Sequence, residues 1–203
     1  MKIGRRGSLS GYLIVKGVQG HVAYPHLALN PVHAVAPALA QLAIERWDEG
    51  NADFPPTTFQ ISNLHAGSGA TNMIPGTAEI RFNFRFSPMS TVEQLTTRVE
   101  EILADNHVAC EVQWTVGAMP CIKSRGRLAN VVEDSVCRVT GATPSISTSG
   151  GTSDARFLAR ISTEIVEFGL PGGTAHHVDE HVSVDDLDRL KDVYRCVLDA
   201  LVR

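Results

Sequence analysis

The residues best able to do chemistry gather in the run PGGTAHHVDEH at 171–181, where His176, His177 and His181 stand beside Asp179 and Glu180. Neutral imidazole is a common zinc ligand, and a neighbouring carboxylate often orients or supplements it. The paired Gly172 and Gly173 would let backbone come close to a metal or an anion. A solvated polar loop would carry the same residues, and no second ligand pair stands at a spacing such as HExxH or CxxC. A hydrolytic zinc needs three or more protein ligands and an open position, so most ligands must come from elsewhere.

Glycine and polar groups combine again at Gly20-His21 with Tyr24, at Gly67–Asn72 and at Ser149–Asp154. The last of these opens an expected helix, whose free N–H groups and dipole favour an anion such as a carboxylate. Turns that require positive φ have the same composition, and the residues alone leave both readings open. Arg85 sits on the outer face of a strong strand, where its planar fork suits solvent or a carboxylate equally. His33 and His107 read as helix-surface and helix-end residues. Cys110, Cys121, Cys137 and Cys196 lie far apart, which suits reduced, buried bystanders better than a disulfide framework or a thiolate site.

The elements that must position these groups are legible as patterns. Strands are expected at 8–17, at 57–65, at 79–86, where Ile80, Phe82, Phe84 and Phe86 alternate with polar residues, and at 110–116. Between them, Asn30-Pro31 opens a helix running toward Gly50, with Pro37 expected to kink it or to delay its start to about residue 36. Ser90-Thr91-Val92-Glu93 reads as a capping box ahead of a second helix striped by Leu95, Val99, Ile102 and Leu103. Residues 8–117 therefore spell the βαββαβ order of a ferredoxin-like α+β sandwich. Residues 118–203 read as helix 126–140, strand 145–148, helix 153–160, strand 164–168 and a last helix capped by Ser183. That helix would bury Leu187, Leu190, Tyr194, Val197, Leu198 and Leu201. Two strands and three helices do not close an α/β sheet, so this part is expected to be the tail of a larger α/β domain. The linker candidate is Gly117–Gly126.

With 203 residues, 43% of them hydrophobic, and a net charge of -4, the chain can bury a core and offers no basic field to nucleic acid or an anionic membrane. No run approaches the length of a membrane span, and the start MKIGRR lacks the apolar core of a signal peptide, which leads to the expectation of a cytoplasmic protein.

Seven stretches, GRRGSLSG at 4–11, GHVAYPHLALNP at 20–31, FPPTTFQISN at 54–63, GATNMIPG at 69–76, FNFRFS at 82–87, SGGTSDARF at 149–157 and IVEFG at 165–169, resemble the succinyl-diaminopimelate desuccinylase family of zinc metallopeptidase relatives. The likeness spans essentially the whole chain. It implies a dinuclear zinc amidohydrolase that cleaves N-succinyl-LL-2,6-diaminopimelate, with an α/β catalytic domain interrupted by a ferredoxin-like lid that forms a homodimer. By that resemblance His176 is a zinc ligand and His177 is not. His21 is the lid histidine that reaches the partner's active site and holds the tetrahedral oxyanion. Arg5, Ser8, Tyr24, Asn72, Arg85, Gly151 and Thr152 match positions around substrate carboxylates and polar groups. The family's remaining ligands and its general base lie N-terminal to the lid and have no counterpart here, so the chain is expected to be a C-terminal part, inactive alone. A related N-acyl-amino-acid amidohydrolase and a non-catalytic dimerisation module are the competing readings.

Overall fold

The computed structural model describes residues 1–123 and 125–202; Ser124, inside the linker candidate, and Arg203 lie outside the described residues. In chain order the elements are β1 Gly4–Arg5, β2 Gly7–Lys16, β3 Gly20–His21, α1 Pro31–Ile44, β4 Thr58–Ala66, β5 Met73–Ile74, β6 Thr77–Phe86, α2 Val92–Asp105, β7 Cys110–Ala118, β8 Cys121–Ile122, α3 Arg127–Thr140, α4 Ala155–Leu158 and α5 Val184–Val202. They fall into two units, Arg6–Pro120 on one side and Met1–Arg5 with the residues from Cys121 onward on the other. Among the described residues no helix is long and apolar enough to cross a membrane.

The Arg6–Pro120 unit is a four-stranded antiparallel sheet in the order β4-β6-β2-β7, the strand arrangement of a ferredoxin-like sandwich. Strand alternation sends Leu9, Leu13 and Val15 of β2 and Ile80, Phe82, Phe84 and Phe86 of β6 to one face. There they are buried against Val35, Ala38 and Leu42 of α1 and Leu95, Val99, Ile102 and Leu103 of α2. Gly11, in mid-strand, leaves the space that the Phe82 ring fills; any side chain there would collide with it. The other face carries Ser10, Tyr12, Asn83 and Arg81. Arg81 lies 4.2 Å over the Tyr12 ring, whose hydroxyl donates to Glu79 at 2.6 Å.

Helix α1 starts at Pro31, with the Asn30 side chain accepting from Val32 N–H at 3.0 Å, so the expected delayed start does not occur. Pro37 is accommodated because its missing N–H would have bonded the carbonyl of His33, an exposed residue whose carbonyl water can serve. The helix also stops at Ile44 rather than near Gly50. The segment that follows seats Trp47 edge-on against Phe84, 4.6 Å between ring centroids, and delivers Asp48 into a ring of donors. The expected Ser90 capping box is also corrected. Thr91 is the cap, paired reciprocally with Gln94, and Ser90 instead donates to Asp48 at 2.6 Å.

In the second unit α3 packs on α5 through Val132, Val136, Val193 and Val197. The last helix therefore buries one narrow i, i+4 row rather than the broad stripe its sequence suggests: Leu187, Tyr194 and Leu198 are exposed, because a single helix partner covers only that row. The expected strands at 145–148 and 164–168 are reduced to single bridges. Ser147 and Glu167 each pair with Lys2, so Met1–Arg5 runs between them as the only strand-like neighbour they have among the described residues. The helix expected over 153–160 forms only at Ala155–Leu158.

Asp48 ties the sandwich together at one end. Its carboxylate accepts from the backbone of Gly50 and Thr57 at 2.8 and 3.0 Å, and from the hydroxyls of Thr57, Ser87 and Ser90 at 2.5, 2.9 and 2.6 Å. Burial opposes its ionisation, yet these hydrogen bonds prevail and lower its pKa from 3.8 to about 2. A carboxylate depressed on folding stabilises the fold above its unfolded pKa, and that contribution fades as pH falls from 3.8 through about 2. Asp48→Ala, which strands several donors, is expected to lose about 1–3 kcal/mol at neutral pH and to flatten stability across this acid window. Urea unfolding at pH 7 and across the acid range checks both, and a loss below about 0.5 kcal/mol at neutral pH would contradict the hub role.

Candidate active site

In the Arg6–Pro120 unit the expected site residues form two groups at opposite ends of the sheet. Beyond the end of β2, the short strand β3 pairs with β5, matching His21 to Met73. The Val22 N–H donates to the Asn72 carbonyl at 3.1 Å and the Tyr24 N–H to the His21 carbonyl at 2.9 Å, so His21, Tyr24 and Asn72 share one exposed corner. The Tyr24 ring lies 5.7 Å from the His21 imidazole. The Ala23 N–H donates to His21 Nδ1 at 3.0 Å, which makes Nδ1 the acceptor and leaves the proton of the neutral ring on Nε2. The corner is turned by Gly20, where a side chain would press on Ala28, and by Pro25, which opens a single 3-10 turn.

The second group lies at the start of β2. Ser8, Arg85 and Thr58 are direct cross-strand neighbours. Ser8 is buried and accepts from the Asn83 side chain at 3.1 Å. Arg85 has Nη1 buried with no hydrogen-bond partner among the described residues, and the same holds for Nε of Arg6. Burial, then the Arg85 charge, pushes the Arg6 guanidinium pKa down, with Asp48 opposing. Arg6 Nη1 donates to the Pro56 carbonyl and to Thr58 Oγ1. Two guanidinium groups that disfavour each other and hold unspent N–H groups form a place where an anion is welcome. From Ser8 to Lys16 the strand covers roughly 26 Å at about 3.3 Å per residue, so the His21 corner and this pair of arginines stand far apart.

In the second unit Arg5 is brought to the Ser149–Asp154 turn that contains Gly151 and Thr152. Its Nη1 donates to the Ser149 carbonyl at 3.3 Å, and its Nε and Nη2 engage Glu167. Lys2 Nζ donates to Ser147 Oγ at 2.6 Å and Ser149 Oγ at 2.7 Å. Glu167, Lys2 and Arg6 are the residues sequence reasoning passed over. The signal was a lone carboxylate inside the apolar run IVEFG, and basic residues at 2 and 6 flanking a motif arginine.

The histidine loop is exposed throughout from residue 175 to 181. Thr174 closes it, with Oγ1 donating to the His181 carbonyl at 2.9 Å and accepting from its N–H at 3.2 Å. His176 and Asp179 sit at φ 63 and 61, a left-handed conformation that side chains rarely adopt, and the His176 N–H donates to Glu180 at 3.2 Å. No group of three or more His, Cys, Asp or Glu among the described residues could hold a metal ion. The residues present therefore do not fit a complete zinc site, and His176 would be one ligand of several.

A family model described as a peptidase dimerisation domain of the M20 type matches residues 3–109. The chain belongs to the M20 peptidase family. The M20 relatives include the succinyl-diaminopimelate desuccinylases of Burkholderia multivorans, 57% identical over 202 residues, and of Burkholderia ambifaria, 56% identical over the same length. Each alignment covers 100% of this chain and 53% of the relative, so the chain spans about half the length of the proteins it matches. Among solved structures, a dipeptidase from Saccharomyces cerevisiae aligns with a TM-score of 0.78 at 13% identity, covering 97% of this chain and 55% of that one. The aminopeptidase PepT of Bacillus cereus aligns with a TM-score of 0.71 at 18% identity, covering 99% and 53%. At such identities these structures establish the M20 fold alone.

The lack of a metal-holding group among the described residues sets an expectation for the metal. This chain by itself should lose zinc on dialysis against a weak chelator; retention of a full equivalent would show that the loop holds a metal unaided.

Proposed function

We propose that the full-length protein containing this chain is a zinc-dependent amidohydrolase that cleaves N-succinyl-LL-2,6-diaminopimelate to succinate and LL-diaminopimelate. The observation that carries this reading is the likeness to desuccinylases along the whole chain rather than in one motif. The chemistry agrees, since the substrate bears carboxylates at both ends and Arg5 and Arg85 are cations with unspent or redirectable N–H groups. In this reading Arg5, Ser8, Tyr24, Asn72, Arg85, Gly151 and Thr152 hold the substrate. His176 is the one metal ligand contributed by this chain. Residues 118–203 then belong to the catalytic domain and 8–117 form the lid. A cytoplasmic setting suits the free thiols of Cys110, Cys121, Cys137 and Cys196.

His21 donates Nε2–H to the oxyanion that forms when the amide carbonyl is attacked. The Ala23 bond to Nδ1 supports that assignment, because it pre-sets the tautomer that a donor needs. The separation of His21 from Arg85 along β2 supports action in the partner's site, since one small substrate cannot meet both ends of a single sheet. A second copy would dock through α1, whose outer side exposes Ala36, Pro37, Ala40, Ala43 and Ile44, the last with 85% of its surface free.

Three outcomes test the proposal. The full-length protein should hydrolyse N-succinyl-diaminopimelate in preference to N-acetylornithine. His21→Ala in that protein should lower kcat roughly 10²–10³-fold, about 2.7–4 kcal/mol, with little change in Tm. A lowered Tm with kcat within about threefold of wild type would make His21 a packing residue instead. Light scattering should give a dimer that Ile44→Glu weakens, and a monomer at high micromolar concentration would remove the trans arrangement.

A further inference from the structure

Glu167 has an environment unlike that of any other carboxylate described here. Its backbone N–H and carbonyl exchange hydrogen bonds with Lys2, both at 2.8 Å, which fixes the position of its Cα. Its Oε1 accepts from Arg5 Nε at 3.0 Å and from Ser153 Oγ at 2.6 Å. Its Oε2 accepts from Arg5 Nε at 3.2 Å and pairs with Nη2. The Arg5 and Glu167 side chains are only 18% and 24% exposed, so water competes weakly for this pair. Burial works against the charged form of Glu167. The hydrogen bonds from Arg5 and Ser153 and the charges of Arg5 and Lys2 outweigh it, holding its pKa below the ordinary value. A carboxylate whose lone pairs are taken up in this way is not free to act as a base or a ligand.

The consequence falls on Arg5. A guanidinium has five N–H groups in a fixed plane. Glu167 takes Nε–H and one from Nη2, and the Ser149 carbonyl takes one from Nη1. What remains is one N–H on each Nη, two donors on neighbouring nitrogens for the oxygens of a carboxylate. Beside Nη1 lies Gly150 at φ 99, where a side chain would come within 2.7 Å of that nitrogen, and at Gly151 the space is open among the described residues. Charge points the same way: Lys2 and Arg5 against Glu167 leave one positive charge over.

We infer that Glu167 is the positioning residue of a carboxylate subsite: it turns Arg5 so that the free Nη1 and Nη2 donors lie beside the side-chain-free Gly150–Gly151 turn, and through Ser153 it holds that turn in place. The identity of the ligand as a carboxylate of the substrate rests on the desuccinylase reading, whereas the orientation of Arg5 does not.

The test uses the full-length protein with its metal and the variants Glu167→Gln, Arg5→Ala and both together. A glutamine keeps one acceptor for Nε but turns an N–H toward Nη2, so the guanidinium is released without deleting the side chain. For Glu167→Gln the expected result is KM raised about tenfold or more with kcat within about threefold, and the double variant no worse than Arg5→Ala. KM within about twofold of wild type, a loss confined to kcat, or an effect of the same size in the Arg5→Ala background would each overturn the inference. A wild type that does not cleave N-succinyl-diaminopimelate would sink the functional reading. The positioning role is then decided by calorimetric titration of succinate and, separately, LL-diaminopimelate. Weakening of one product by about tenfold in Glu167→Gln supports it, and equal affinity for both, or no binding to wild type, overturns it.

Discussion

Strands β2 and β6 lie side by side for ten residues, from Gly7 opposite Phe86 to Lys16 opposite Thr77, and the rest of the Arg6–Pro120 unit follows from that pairing. It aligns Leu9, Leu13 and Val15 with Ile80, Phe82, Phe84 and Phe86 on one face, which both helices must then cover. A slip of one residue would invert every one of these side chains, so the apolar face holds the register firmly. The same pairing sets Ser8 beside Arg85 at one end and sends the chain on to the His21 corner at the other. The length of this ladder is thus also the distance that keeps the two polar groups apart.

Cationic groups in each unit outnumber the carboxylates beside them. In one unit Arg6 and Arg85 crowd each other and keep buried N–H groups unspent. In the other, burial and then Arg5 lower the pKa of Lys2, with Glu167 opposing, and a single carboxylate must serve both cations. Folding tolerates such arrangements when other interactions fix them, and an anionic ligand relieves them. Asp48 shows the opposite solution: an anion surrounded by hydroxyl and backbone donors, with its pKa held at about 2.

Much of the sandwich was legible from period-2 alternation and helix stripes, because the sheet is half covered and each strand must show one apolar face. The errors fell where tertiary partners compete for a local signal. Ser90 looked like a helix cap but is drawn to Asp48, leaving the cap to Thr91. Helix α1 ended early because Trp47 and Asp48 are each needed elsewhere. In α5 a broad apolar arc gave no sign of which row would be buried, since that depends on where α3 and the 166–168 segment meet it, along Val193 and Val197.

By itself the sequence determined the βαββαβ order, the residue types able to bind carboxylates and metal, and the family, since local patterns and motif residues are properties of neighbours along the chain. Only the tertiary structure decided how those residues combine. Met1–Arg5 pairs with Glu167 and Ser147, more than 140 positions away. Glu167 and the Ser149 carbonyl between them take N–H groups on all three nitrogens of Arg5. Ala23 fixes the proton of His21 on Nε2. Each of these is a hydrogen bond whose direction depends on where the backbone brings a donor. Composition and spacing carry no record of direction, and so the groups could be named from the sequence but not aimed.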